Sequence, residues 1–151
     1  MNNEKTGVGI LGLGKSLPEK VLTNFDLENI VDTTNEWILK RTGISKRRLL
    51  DENQPLYELG VEAANNAIND AGLTAREIDL IIATTETPDY LAPSMACIIQ
   101  GKIGADKAAA FDLNAACSGF VYALAVAKQF VETGFYKNIL IVACEGLSRV
   151  V

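Results

Sequence analysis

Three short runs limit what this chain can fold into. Residues 78–86 (IDLIIATTE) and 138–146 (NILIVACEG) are apolar and rich in β-branched side chains, and 108–114 (AAAFDLN) is a third such run. The first is continuously apolar, as expected of a strand buried on both faces. The intervening segments have helical periodicity. Residues 94–104 open at Ser94, and 119–134 place Phe120, Leu124, Ala127 and Val131 on one stripe. Upstream, 57–72 is amphipathic, with Ala64, Ala67, Ile68 and Ala71 on one face and Glu62, Asn65, Asn66 and Asn69 on the other, ending at Gly72. Strands alternating with helices imply an α/β layer fold on a mostly parallel sheet.

The N-terminal part is less regular. GVGILGLG (7–14) reads as a first buried strand. Its glycines do not follow the GxGxxG order and no acidic ribose partner follows at the proper distance, so no dinucleotide site is expected. A short helix is expected at 23–31, opening at Thr23. A second is expected at 33–43, where Thr33 and Glu36 have capping-box spacing and Gly43 provides the stop. Trp37 and Arg41 are four apart and share one face of it.

The chain has the length of one domain, 151 residues, without internal repeats. Its 48% hydrophobic and 22% charged residues argue against disorder. No apolar run approaches the roughly 20 residues of a membrane span, and MNNEKTG lacks the build of a signal peptide. A cytoplasmic location is therefore expected, with no membrane partner. Of fourteen basic residues, five lie in KRTGISKRR (40–48), which leaves nine against nineteen acidic residues elsewhere. A cationic island on an acidic body points to a local anion site rather than a nucleic-acid surface; the same run also fits a solvated charged loop. The cysteines, Cys97, Cys117 and Cys144, are odd in number and lack CxxC spacing, so neither a disulfide framework nor a zinc site is expected. With no histidine in the chain, a metal would need cysteine and carboxylate ligands, and none are spaced for one.

Cys117 stands apart. In NAACSGF (114–120) it follows a strand-like run and precedes a long Ala-rich helix, with small residues on both sides. A helix N-terminus offers unpaired N–H groups and partial positive charge, which favour an anion such as a thiolate. Small neighbours let a substrate carbonyl approach both the sulfur and backbone donors, as at a nucleophile elbow. A free cysteine also packs well as a small apolar residue. That second reading is the one assigned to Cys97, inside a helix, and to Cys144, near a strand end.

DTTNEWILKRTGISKRR, TPDYLAPSMAC and AFDLNAACSGFVYAL together resemble β-ketoacyl-acyl carrier protein synthase III, an initiating condensing enzyme of bacterial fatty acid synthesis in the thiolase superfamily. The resemblance runs from about residue 7 to the end. It implies a thiolase-like fold, with residues 1–151 forming the N-terminal half of an αβαβα layered architecture. It implies that Cys117 is the catalytic residue, taking an acyl group from acyl-coenzyme A and passing it to malonyl-acyl carrier protein with loss of carbon dioxide. It also implies that Thr33, Trp37 and Arg41 bind coenzyme A, a substrate rather than a resident cofactor. An indole face can stack on adenine and a guanidinium can hold a phosphate.

Further expectations follow from the same resemblance. Strand 108–113 pairs with its twin in a homodimer. Ala92 stands where the family often has Phe, which leaves room for a longer or branched acyl group. The histidine and asparagine of the family belong to a C-terminal half that this chain lacks, so the chain alone is expected not to condense. The helix after Cys117, apolar nearly all round, is expected to need a covering partner. The alternatives are a thiolase-fold relative using another acyl donor, and a non-catalytic subunit that complements a separate polypeptide.

Overall fold

The computed structural model describes residues 7–150. The elements run β1 (Val21–Thr23), α1 (Asn24–Glu28), α2 (Asn35–Thr42), β2 (Lys46–Arg48), α3 (Leu56–Asp70), β3 (Leu80–Thr84), α4 (Met95–Ile103), β4 (Ala109–Asp112), α5 (Gly119–Glu132) and β5 (Ile139–Ala143). The main sheet has the order β4-β3-β5 and is parallel throughout. Leu80 faces Ala109 on one side and Ile139 on the other.

Every residue of β3 is buried, and its period-two alternation sorts the core into two layers. Ile81 and Ala83, with Leu140 and Val142 of β5, meet Leu56, Leu59, Ala64 and Ile68 of α3 and Met95, Ala96 and Ile99 of α4. Leu80 and Ile82 face the opposite way, onto Ala123 and Ala127 of α5. Two helices on one face and one on the other make an α/β/α sandwich around a three-stranded sheet. The runs at 78–86, 108–114 and 138–146 all contain their strands. The helices at 57–72, 94–104 and 119–134 form within a residue or two of the expected limits, with Ser94 capping α4 and Gly104 closing it in the left-handed region.

Three expectations need correction. The run 7–14 forms no strand. It lies along α3, where the Leu13 N–H donates to Asp70 Oδ2 at 2.8 Å and the Lys15 carbonyl accepts from Asn66 Nδ2 at 3.1 Å. With its polar groups bonded to side chains rather than to a sheet edge, the segment stays irregular. Gly12 lets its backbone come this close, since a Cβ there would sit 2.5 Å from the Ala67 carbonyl oxygen. The cap of α2 is Thr34, whose side chain accepts from the Trp37 N–H, so Thr33 and Glu36 form no capping box. On α5 the buried line is Gly119, Ala123 and Ala127, while Phe120 and Leu124 are exposed. Small residues let the helix approach the sheet, and that selects the face.

The antiparallel β1–β2 pair, whose strands are separated in sequence by α1 and α2, was not legible from the pattern. Its strands are three residues long and antiparallel, with Val21 opposite Arg48 and Thr23 opposite Lys46. It is joined to α1 and α2 by Asn24, which is fully buried. Asn24 Nδ2 donates to Asn35 Oδ1 (3.0 Å) and to the Ile44 carbonyl (2.8 Å), and its Oδ1 accepts from Arg47 Nη1 (2.9 Å). One amide side chain thus satisfies itself and ties α1, α2 and β2 together.

Aspartates hold the loops at both ends of the sheet. Asp112, ending β4, accepts from Met95 N and Ala96 N at 2.8 and 2.7 Å and so caps α4. Asp79, just before β3, accepts from Lys137 N and Asn138 N, both at 2.9 Å. Asp89 caps α3 from a distance, accepting from Leu56 N at 2.9 Å and Tyr57 N at 2.8 Å, because Pro55 at the cap position has no side chain to do so. Arg149 Nη1 completes Asp89 at 3.0 Å.

Burial alone would push the Asp89 carboxyl up. The Leu56 and Tyr57 N–H groups, helped by Arg149, outweigh it and hold the carboxyl below the usual aspartate value. A depressed folded value means that the stabilisation is complete above about pH 4, the unfolded value, and is lost as pH falls through the folded one. Asp89→Asn is expected to lower stability at pH 7 by about 1 kcal/mol, the usual size of a helix-cap loss. The gap from wild type should shrink toward pH 3. Urea midpoints for both proteins at the two pH values test this, and a gap that is constant with pH would contradict it.

Candidate active site

The chain leaves β4 in register with β3, since the Leu113 N–H donates to the Ala83 carbonyl at 2.8 Å. It then reverses sharply. Ala115 adopts φ −155° and ψ 30°, and Ala116 has φ 45°. A non-glycine residue in that left-handed region costs roughly 1 kcal/mol and persists only where its surroundings hold it. The Ala116 N–H donates to Glu86 Oε1 at 2.5 Å, and the Ser118 N–H to the Ala115 carbonyl at 3.0 Å. Residues Ala116–Ser118 make one tight turn, and α5 begins at Gly119. A Cβ at Gly119 would come within 3.1 Å of Thr84 Cβ, so glycine is what lets the start of α5 rest on the end of β3.

Cys117 lies in that turn and is exposed. Ser118 makes no side-chain cap to α5, and the Gly119 N–H is taken within the turn by the Ala116 carbonyl. The strand-turn-helix placement expected of Cys117 is therefore present. The other cysteines differ from it and from each other. Cys144 is partly buried, with Sγ 3.6 Å from the Leu56 carbonyl oxygen. Burial, reinforced by the charges of Glu145 and Asp89, pushes its thiol up to about 11. Cys97 is not the core residue expected; it lies exposed on the outer side of α4, with Sγ 3.9 Å from the Ala110 carbonyl oxygen.

The residues expected to bind coenzyme A form a separate cluster. Thr33, Thr34, Asp32 and Trp37 line one hollow of about 270 Å³. Trp37 is 56% exposed, and the Arg41 guanidinium carbon lies 5.5 Å from its ring centroid, within cation–π range. Part of the basic island is structural: Arg47 binds Asn24, and Arg48 Nη1 donates to the Pro18 and Glu19 carbonyls at 3.0 and 3.2 Å. Arg41, in contrast, is exposed beside Trp37. The structure joins Thr33 to Trp37 and Trp37 to Arg41. It carries Cys117 elsewhere, on the sheet layer with α5. Ala92 sits in the exposed loop before α4, next to Leu91, which is 98% exposed. A larger hollow of about 630 Å³, lined by residues that include Lys20, Asp51, Leu59 and Glu62, contains none of these residues. Among the described residues no group of three or more His, Cys, Asp or Glu side chains is arranged to hold a metal, and no helix is long and apolar enough to cross a membrane.

Comparison with known proteins gives this geometry a context. The family model described as 3-oxoacyl-[acyl-carrier-protein (ACP)] synthase III matches residues 111–151, the segment that contains the Cys117 turn. The β-ketoacyl-[acyl-carrier-protein] synthase III of Caldanaerobacter subterraneus is 53% identical over 148 residues, which is 98% of this chain and 45% of that protein. The chain belongs to the synthase III family. The crystal structure of 3-oxoacyl-[acyl-carrier-protein] synthase III from Aquifex aeolicus superposes with a TM-score of 0.91 at 48% identity, covering 95% of this chain and 46% of that one. OleA of Xanthomonas campestris, a Cys→Ser variant with bound lauric acid and lauroyl-CoA, superposes at 0.81 with 28% identity, over 92% and 44% of the two chains. The fold is thus thiolase-like, and the chain spans less than half the length of the synthase III relatives it matches.

Sequence reasoning did not find Glu86 or Thr84, which hold the two ends of the Cys117 turn. Thr84 ends the buried strand β3 and Glu86 lies in the loop just after it, and both are brought to 115–119 only by the β3–β4 register. No local pattern carries that information. A soluble thiol probe at neutral pH is expected to label Cys117 and Cys97 of the folded protein while sparing Cys144, until denaturant exposes all three. Peptide mapping after iodoacetamide treatment checks this order, and early modification of Cys144 would contradict it.

Proposed function

We propose that this chain is the nucleophile-bearing part of an initiating condensing enzyme of fatty acid synthesis. The exposure of Cys117 in a strained turn at the N-terminus of α5, inside the segment matched by the synthase III family, carries this reading. The sulfur attacks the carbonyl of a short acyl-coenzyme A such as acetyl-coenzyme A. A tetrahedral oxyanion forms and collapses, coenzyme A leaves as its thiolate, and the acyl group remains on Cys117. Malonyl-acyl carrier protein then releases carbon dioxide, and its α-carbon attacks the acyl thioester. The Cys117 thiolate leaves and a 3-oxoacyl-acyl carrier protein results. Covalent catalysis divides one difficult step into two easier ones. The partial positive charge at the start of α5 favours the developing oxyanion.

Thr33, Trp37 and Arg41 are assigned to the coenzyme A entrance. An exposed indole with a guanidinium over it offers a stacking face and a phosphate donor on one helix. The bound lauroyl-CoA of the OleA relative supports an acyl-coenzyme A substrate in this fold. The remaining machinery, a histidine and an asparagine, is assigned to the further length that the relatives possess, since this chain contains no histidine. That same further part is assigned as the cover of the exposed α5 face formed by Phe120, Val121, Tyr122 and Leu124. β4 lies at an edge of the described sheet with Phe111 partly exposed, which fits pairing with the β4 of a second copy. The small side chain of Ala92 fits a wider acyl range.

Incubation of the complete enzyme, this chain joined to the further length its relatives possess, with acetyl-coenzyme A followed by intact-mass measurement is expected to give a single acetyl adduct, labile to hydroxylamine and absent from Cys117→Ala. An adduct that survives in Cys117→Ala would remove this residue from the role. Arg41→Ala is expected to weaken coenzyme A binding about tenfold at low ionic strength, and less at high salt, because the contact is between charges. Calorimetric titration at two salt concentrations separates this from a packing role, for which the loss would be independent of salt.

A further inference from the structure

We propose that Glu86 is a positioning residue for Cys117, holding the turn that presents the sulfur; this rests on the reading of Cys117 as the nucleophile. The turn is tied at two points, one on each side of the cysteine, by the last residue of β3 and by the loop that follows it. On the far side Gly119 rests on Thr84. On the near side the Ala116 N–H is held by Glu86 Oε1 at 2.5 Å. Ala116 is the described residue other than glycine with a positive φ, 45°. A residue in that region reverts to an extended or right-handed conformation when its surroundings release it, and the sulfur of the next residue would move with it.

Glu86 is itself held. Its backbone N–H donates to Glu145 Oε1 at 2.8 Å, and Thr87 Oγ1 donates to Glu145 Oε2 at 2.8 Å. Thr87 Oγ1 in turn accepts from the Gly146 N–H at 2.8 Å. The segment after β5 thus fixes the segment after β3, and Glu86 passes that constraint to the turn after β4. A carboxylate acceptor makes the last link short and directional, as charge-assisted bonds are. Glu86 contacts no reacting atom. Its effect on the reaction runs through the place of the sulfur.

The test compares wild type, Glu86→Ala and Glu86→Gln, each in the complete enzyme with the further length its relatives possess, in three measurements. A glutamine carbonyl still accepts the Ala116 N–H, whereas alanine cannot. Exchange of the Ala116 amide is expected to be slow in wild type and Glu86→Gln, and about tenfold faster in Glu86→Ala. Acetyl transfer from acetyl-coenzyme A to Cys117 is expected to fall about tenfold in Glu86→Ala and to return in Glu86→Gln, as small misplacements of a reacting atom do. Alkylation by iodoacetamide, which approaches from any side, should stay within about twofold in all three. Unchanged Ala116 exchange in Glu86→Ala, or acetyl transfer as slow in Glu86→Gln as in Glu86→Ala, would overturn the assignment. Should Glu86→Ala fail to fold, Glu86→Asp, whose carboxylate is drawn back by one methylene, replaces it with the same expected outcome. A wild-type protein that takes no acetyl group at all would remove the role of Cys117, and the exchange measurement would still decide whether Glu86 holds the turn.

Discussion

Burial of Leu80–Thr84 on both faces is the constraint on which the rest of the structure depends. A strand with no exposed residue has its register fixed from two sides, because a one-residue slip would exchange Ile81 and Ala83 with Leu80 and Ile82 between layers of different shape. Once β3 is fixed, so is everything at its carboxyl end. Thr84 supports Gly119, Glu86 holds Ala116, and Asp89 caps α3. Three elements distant in sequence are placed by ten residues of one strand and its exit loop. In a parallel sheet all carboxyl ends lie at one edge, where open α/β folds gather their ligands. The Cys117 turn is at that edge.

The same edge is held by carboxylates rather than by apolar packing. Asp89 and Asp112 each take two consecutive backbone N–H groups at a helix start, and Glu86 and Glu145 take one each in the loops. A helix start has donors and partial positive charge but no acceptors of its own, so an anion from a neighbouring loop suits it in both respects. Side-chain caps from another element do more than end a helix. They fix where it begins relative to the sheet, and so which residue of the preceding turn faces outward.

Much of this architecture was legible in the sequence, and the parts that were not share a cause. α3, α4 and α5 announce themselves by helical period and β3 by an unbroken apolar run, because each must present one face or two to a core, although on α5 the period pointed to the wrong face. The 7–14 run misleads because apolar content and glycine describe a buried strand and a segment lying on a helix equally well. Only the bonds of Leu13 and Lys15 to α3 side chains separate the two. Thr33 and Thr34 are adjacent and chemically alike, so cap spacing could not choose between them; the Trp37 N–H does. The placement of Cys117 in a turn before α5 could be read because its neighbours in sequence are also its neighbours there. Glu86 could not, since its link to Ala116 spans thirty positions. Local chemistry was readable and tertiary chemistry was not.

The separation of Cys117 from the Trp37–Arg41 pair needs a physical account, because a site is usually expected to converge. The account lies in the shape of the proposed substrate. In acyl-coenzyme A the thioester sits at one end of a long, flexible arm, with the adenine and phosphates at the other. A protein that grips the nucleotide and attacks the thioester must place those functions well apart. The grip belongs on a surface element with charge and an aromatic face, which α2 provides, held in place through Asn24 and the β1–β2 pair. The attack belongs where backbone donors and a rigid sheet meet, which the start of α5 provides. Two clusters on separate elements are therefore what such a molecule demands.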